Sequence, residues 1–223
     1  DEWNKIQAAS KTSYPETPKG DQTSLDDQVR TQYGVYVGME YTVGDFIYRV
    51  TAIDSITSGI TKLIGVVAAK KSKLTKVTVP NTANFKGYGL NVTEVGDNAF
   101  KAMKKLKKVT FGANVKVIGK AAFSNCKKLN KINFKNVTTI GNNAFAGCKA
   151  LKKLTIGSKV TTIGKNAFKK CTKLKTVVMG KSVKTIKAKA FTKDNKIKKI
   201  TFKGKKLKTV KKNALSSKVK KNI

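Results

Sequence analysis

Three cysteines, Cys126, Cys148 and Cys171, and a dense set of lysines are the residues of this 223-residue chain whose types and spacing could do chemistry. Thiols at a fixed spacing suggest a metal or redox site, and such sites commonly draw on histidine as well. The chain has no histidine, so the commonest metal ligand and the commonest general base are both missing. Carboxylates are nearly as scarce. After residue 54 there are three acids, Glu94, Asp97 and Asp194, against 43 lysines. Nothing in the sequence sets a nucleophile beside a base. The expectation is a non-enzymatic protein with no metal and no cofactor.

The lysines then become the functional candidates. The formal net charge is +36, and it is unevenly placed. Residues 1–54 carry nine acids and five bases, a net of −4, whereas residues 55–223 carry a net of +40. Both arginines, Arg30 and Arg49, lie in the first part. Such a charge keeps a protein soluble and draws it to polyanions without specifying a fold. The lack of arginine argues against bidentate recognition of carboxylates or of guanine edges. No run of ~18 apolar residues is present, so no transmembrane helix is expected. The chain opens at Asp1 without a secretory signal, and a leader is taken to have been removed.

The elements that position these lysines come from a repeat. Segments starting at Val92, Val115, Val137, Val160 and Val183 share V-x-x-[IV]-G-x-x-A-F-x-x-[CM]-x-x-L-x-x-[IVL]-x-[FIM], with starts 23, 22, 23 and 23 residues apart. The fifth copy departs twice, with Lys187 for glycine and Asp194 for cysteine, and a truncated sixth begins at Leu207. A period of 20–29 residues carrying L-x-x-L-x-L is the signature of a leucine-rich solenoid. Each copy supplies one strand, which buries its apolar side by stacking on the next copy. Leu154 and Ile156 alternate inward, so Lys153 and Thr155 point outward. Alanine, phenylalanine and cysteine at offsets 0, +1 and +4 suit one or two helical turns on the opposite side of the coil. Gly96, Gly119, Gly141 and Gly164 share one register, where the chain needs either φ > 0 or a close approach.

The signature I-G-x-x-A-F-x-x-C-x-x-L-x-x-[IVL] resembles the BspA-like leucine-rich repeats of bacterial surface proteins, over residues 92 to about 215. The stretch "LTKVTVPNTANFKGYGLNVTEVGDNAF" is similar to the entry module before such repeats in lysine-rich secreted proteins of Gram-positive anaerobes; in it Leu74, Val77 and Val79 supply one more strand. The fold expected is an α/β repeat: a right-handed leucine-rich-repeat solenoid of about 23-residue copies. Its parallel strands lie on one face, its short helical turns on the other, and a β-rich N-terminal cap covers the open end. Glu40 to Ile53, rich in aromatic and β-branched residues around Gly44-Asp45, reads as a hairpin. The division expected is a flexible tail over 1–34, with Pro15, Pro18 and Gly20, a β-rich cap and entry strand over 35–90, and repeats with a C-terminal cap over 91–223.

Each candidate group has a structural reading beside its functional one. The cysteines stack in one register that Met103 shares, which describes a small apolar slot. Buried free thiols are expected there, with a disulfide between neighbouring coils left open. Phe100, Phe123, Phe145, Phe168 and Phe191 could stack bases or sugars, but their single register flanked by alanine marks a core column. The sequons at Asn91 and Asn136 match a glycosylation acceptor pattern and are taken as chance.

The lysines remain. Lys108, Lys131, Lys153 and Lys199 precede the central apolar residue of their strands, with Thr176 in the fourth copy. Lys107, Lys152, Lys175 and Lys198 stand one position earlier, with Asn130 in the second copy. Parallel strands lie ~4.8 Å apart, so these side chains should climb the concave face as a ladder. Two charges at that spacing repel by ~0.9 kcal/mol in water, and a bound polyanion would relieve the repulsion. Lysine is as dense elsewhere, as in Lys104-Lys105, Lys127-Lys128, Lys169-Lys170 and Lys211-Lys212, and a uniformly basic surface can also serve solubility alone.

Three functions are open at this point. The first is a secreted or wall-associated adhesion protein; the resemblance implies host matrix proteins or neighbouring cells as partners, and the charge adds anionic wall polymers. The second is a nonspecific binder of nucleic acid or heparin-like glycans. The third is a structural module of a larger surface protein.

Overall fold

The computed structural model describes residues 36–53, 62–69, 73–85, 88–194, 196–215 and 220–222. The tail expected over 1–34 lies outside them. Glycine at Gly44, with φ +59°, turns β1 (Glu40–Val43) back on β2 (Phe46–Ile53) in an antiparallel hairpin, where Val43 pairs with Phe46. That is the hairpin read from the sequence. β2 pairs antiparallel with β3 (Lys62–Ala69), which runs parallel to β6 (Tyr88–Val95). β5 (Thr82–Phe85) folds back on β6.

From β6 onward the chain is a parallel coil in which every turn contributes two strands. The L-x-x-L-x-L strands are β4 (Lys76–Val79), β7 (Lys108–Phe111), β9 (Lys131–Asn133), β11 (Lys153–Thr155), β13 (Thr176–Met179) and β15 (Lys199–Phe202), and β17 (Lys220–Asn222) pairs with β15 without the motif. The V-x-x-[IV] segment supplies a second ladder that the sequence reading had not drawn. It runs from β6 through β8 (Val117–Ile118), β10 (Thr139–Ile140), β12 (Thr162–Ile163), β14 (Thr185–Ile186) and β16 (Thr209–Val210). Burial on the first strands alternates as expected, with Lys153 and Thr155 exposed and Leu154 and Ile156 buried.

The helical turns are not formed, and no helix occurs among the described residues. The segment from glycine to cysteine is a run of turns instead. Two kinds of hydrogen bond alternate along it. The N–H groups of Asn143, Phe145 and Gly147 donate to the carbonyls of Lys165, Ala167 and Lys169 in the next coil, while those of Ala144, Ala146 and Cys148 donate three residues back to Gly141, Asn143 and Phe145. Residues four apart stand at positive φ: Asn98 and Ala102, Ala121 and Asn125, Asn143 and Gly147, Asn166 and Lys170, Lys189 and Lys193. A left-handed residue at each of these points reverses the local sense of the chain, so a right-handed helix cannot propagate. A segment this short would be a marginal helix in any case, and bonding to the next coil satisfies its backbone better.

Of the two reasons offered for the glycine register, close approach is the one observed. A Cβ on Gly141 would meet the carbonyl carbon of Gly119 at 2.7 Å, so glycine is what fits at this contact, although the fifth coil keeps its pairing with Lys187 in the same slot. The positive φ that the segment needs falls on other positions, among them Asn98, Asn125, Asn143 and Asn166, and asparagine tolerates it better than most residues.

The core is a set of columns. Phe100, Phe123, Phe145, Phe168 and Phe191 stack with centroids 5.0, 5.2, 5.3 and 5.2 Å apart and planes within 11°. Near-parallel rings at that separation are offset stacks, each worth about 0.5–1.5 kcal/mol beyond the area buried. Phe111 and Phe134 close on this column edge-on at 5.8 Å.

Candidate functional site

The cysteines are free and fully buried. Each thiol donates to a phenylalanine carbonyl of the preceding coil: Cys126 to Phe100 at 3.0 Å, Cys148 to Phe123 at 3.3 Å, Cys171 to Phe145 at 3.4 Å. Burial pushes the Cys126 thiol up to about 11, against an opposing pull from a backbone hydrogen bond, and raises those of Cys148 and Cys171 well above the ordinary thiol value. A thiol that stays protonated is neither a nucleophile nor a metal ligand. No cluster of three metal-ligating side chains occurs among the described residues.

Asp194 holds the cysteine slot of the fifth coil. It is 1% exposed, and neither carboxylate oxygen has a hydrogen-bond partner. Burial raises its pKa to about 7, with the nearby Cys171 backbone pulling the other way without forming a hydrogen bond. Glu94 is also raised, first by burial and then by Asp97, with Arg49 opposing. Asp97 is otherwise engaged, its Oδ1 accepting from the Lys120 N–H at 2.6 Å. Asn142 caps Lys165 in the same way two coils on, at 2.8 Å. The two sequon asparagines also serve the stack. Asn91 Oδ1 accepts from Asn114 at 2.9 Å, and Asn136 Nδ2 donates to the Ala113 carbonyl at 2.9 Å.

The lysines form the extended feature. Lys107, Lys108, Lys131, Lys152, Lys153, Lys175, Lys198 and Lys199 are all exposed. Register places Lys108 opposite Lys131, and Lys153 opposite Thr176, which is opposite Lys199. Two further register positions went unnoticed in the sequence: Lys76, exposed, pairs with Lys108, and the backbone of Lys220 pairs with that of Lys199. Lys76 was legible from the entry strand once Leu74, Val77 and Val79 were aligned; Lys220 was hidden because the last repeat decays around it. None of the eight candidates forms an ion pair or a side-chain hydrogen bond among the described residues, where the one ion pair is between Arg49 and Glu40.

The ladder is interrupted. The first strands form two sheets, β4-β7-β9 and β11-β13-β15-β17, with no pairing between β9 and β11. The cause is the 22-residue copy. Where other coils place glycine and two residues after the strand, as in Gly157-Ser158-Lys159, this copy has only Lys135-Asn136. Lys135 is left at φ +38°. Elsewhere a backbone bond joins adjacent coils just before the strand: Lys107 to Thr75, Asn130 to Lys107, Lys175 to Lys152 and Lys198 to Lys175. The corresponding bond from Lys152 to Asn130 is not formed. An open depression of about 330 Å³ lies there, lined by Asn130, Lys131, Ala150, Lys152 and Lys173.

The family described as "BspA type Leucine rich repeat region" matches residues 93–221 in six copies. Among solved structures, a leucine-rich repeat protein from Bacteroides capillosus is 27% identical with a TM-score of 0.53, over 63% of this chain and 97% of that one. The T. pallidum leucine rich repeat protein is 22% identical, TM-score 0.52, over 74% of this chain and 86% of that one. A leucine rich cell surface protein from Faecalibacterium prausnitzii is 24% identical, TM-score 0.51, over 75% of this chain and 55% of that longer one. These likenesses agree with the parallel coil. No curated protein matches the chain.

Proposed function

The chain belongs to the BspA-type leucine-rich repeat family, and on that premise we propose that it is a non-enzymatic binding protein of a bacterial surface. Its lysine-bearing strand face holds an anionic wall polymer or a molecule of a host or neighbouring cell. The observation that carries this reading is the ladder itself. Lys108, Lys131, Lys153 and Lys199 on the parallel strands, and Lys107, Lys152, Lys175 and Lys198 just before them, are all exposed with no acidic partner among the described residues. Unrelieved repulsion along such a ladder favours a linear polyanion lying across the strands, which gains contacts coil by coil. Repeat solenoids bind through extended faces of this kind.

The test is binding to purified cell walls, with and without their anionic polymers, at ~0.15 M salt, where the Debye length is ~8 Å. Wild-type protein should lose binding when the polymers are stripped. Replacing Lys108, Lys131, Lys153 and Lys199 with glutamine should weaken binding well beyond a control in which Lys101, Lys120, Lys165 and Lys187, exposed on the turn side, are replaced. Equal losses would remove the strand face from the proposal.

A second reading is a nonspecific binder of nucleic acid or glycosaminoglycan. It is favoured by the exposed lysines off the strands, such as Lys104, Lys105, Lys127 and Lys128. It predicts a steep salt dependence, with ~6 phosphate contacts costing ~10³ in affinity between 50 and 200 mM salt, and equal effects from both sets of substitutions.

A further inference from the structure

The depression beside the ladder break is where the repeat departs from itself three times over. Ala150 stands where the other copies have Lys105, Lys128, Lys173 and Lys196. Asn130 stands where they have Lys107, Lys152, Lys175 and Lys198. The turn after Phe134 is one residue short. These departures are scattered in sequence, yet the fold gathers the first two into the lining of one depression and sets it at the gap that the third opens in the sheet.

Their combined effect is chemical. The small Ala150 side chain leaves space where a lysine stem would lie. The missing bond between Lys152 and Asn130 frees one backbone N–H and one carbonyl, and an unpaired backbone donor needs another partner. Asn130 brings a neutral side-chain amide that can also donate. Around them stand Lys131, Lys152 and Lys173, from three successive coils, all exposed. Cations, an amide and a backbone N–H around a polar opening suit a compact oxyanion, to which charge-assisted hydrogen bonds are strongest. Lysine supplies point charges without the planar fork of arginine, which fits a tetrahedral group better than a carboxylate.

We propose that the break is an oxyanion site, in which Lys131, Lys152, Lys173 and Asn130 hold one phosphate or sulfate group around Ala150. The site rests on the reading of the strand face as an anion-binding surface and gives that face a fixed point. A polymer sliding along a uniform ladder has no preferred register, whereas one anionic group seated in the break sets it.

The experiment uses the full chain and two probes, inorganic phosphate and a soluble phosphodiester polymer, with amide chemical shifts as readout. Phosphate should give saturable shifts centred on the amides of Lys152, Lys153 and Asn130. The double variant Lys152→Gln and Lys173→Gln should bind phosphate about tenfold more weakly, while Lys175→Gln with Lys198→Gln, which removes the same charge from the intact ladder, should not. Ala150→Lys supplies the opposite control. It restores the residue of the sister copies, adds a charge, and should still lose the shifts because the space is filled.

Small, non-saturating shifts spread over all the strand lysines, or equal losses in the two double variants, would overturn the oxyanion site. Polymer binding that survives Ala150→Lys but is lost in the four-lysine glutamine variant overturns the site as the polymer's anchor and leaves the face reading standing. A wild type that binds phosphate at the break but not the polymer supports the site and assigns it to the free ion.

Discussion

Asp194 is a carboxyl group in a slot built for a thiol. Its folded-state pKa is about 7, against about 3.9 for aspartate in an unfolded chain. Between those values the folded protein holds a proton that the unfolded chain has released. The contribution of Asp194 to stability is therefore greatest below pH ~4, falls as pH rises from about 4 to about 7, and is level above. The full swing is on the order of 4 kcal/mol, reduced by whatever relaxation the last coils permit. Asp194→Cys, which restores the repeat, should flatten this dependence and raise the denaturant midpoint at pH 8 while changing little at pH 4. A midpoint at pH 8 equal to that of the wild type would show that the carboxylate finds a partner.

Residues of this kind were half legible. The cysteines and phenylalanines could be placed in the core because one register position accepts only apolar types across several copies. Asp194 was visible as a departure, but its lack of a partner depends on what the neighbouring coils present, and spacing does not carry that. The lysine ladder could be numbered in advance because strand alternation fixes which side chains leave the core. The break in it could not, because a 22-residue copy looks like ordinary variation until the hydrogen bonds are traced.

The turn column is the element whose nature the sequence concealed. Apolar residues at offsets 0, +1 and +4 suit a helical turn, and they suit equally a stack of tight turns that lays the same side chains inward. The difference lies in where the N–H groups go, which is a property of the next coil. A signal was nonetheless present. Asparagine precedes Ala-Phe at Asn98, Asn143 and Asn166 and precedes Ala-Leu at Asn213, and each of these four has φ between 56° and 59°. The conformation makes its own prediction. Asn143→Gly should be close to neutral, and Asn143→Val should cost about 1–2 kcal/mol, since a branched residue resists the left-handed region. Chemical denaturation of the two variants measures it. A helical turn would reverse the order, because glycine weakens a helix more than valine does.

At the scale of the molecule, stability is the sum of coils and the interfaces between them. A net charge of +36 opposes the compact state through self-repulsion. Raising salt from ~0.05 to ~0.5 M shortens the screening length severalfold and should raise the melting temperature. A polyanion that occupies the strand face should do the same at low salt, by binding the folded form alone.

The hydrogen bonds between coils all run along the stacking direction, in both strand ladders and in the turns. A chain drawn out from its two ends would thus lose its structure one coil at a time, like a spring pulled into wire. Each released coil of 23 residues frees roughly 80 Å of chain at ~3.5 Å per residue. The seam between β9 and β11 lacks one of its ladders and so has fewer bonds to give than its neighbours. Tension would find fewer backbone bonds to break at the depression than at the paired coils beside it, so an anion held there as proposed would bridge the stack where it resists least.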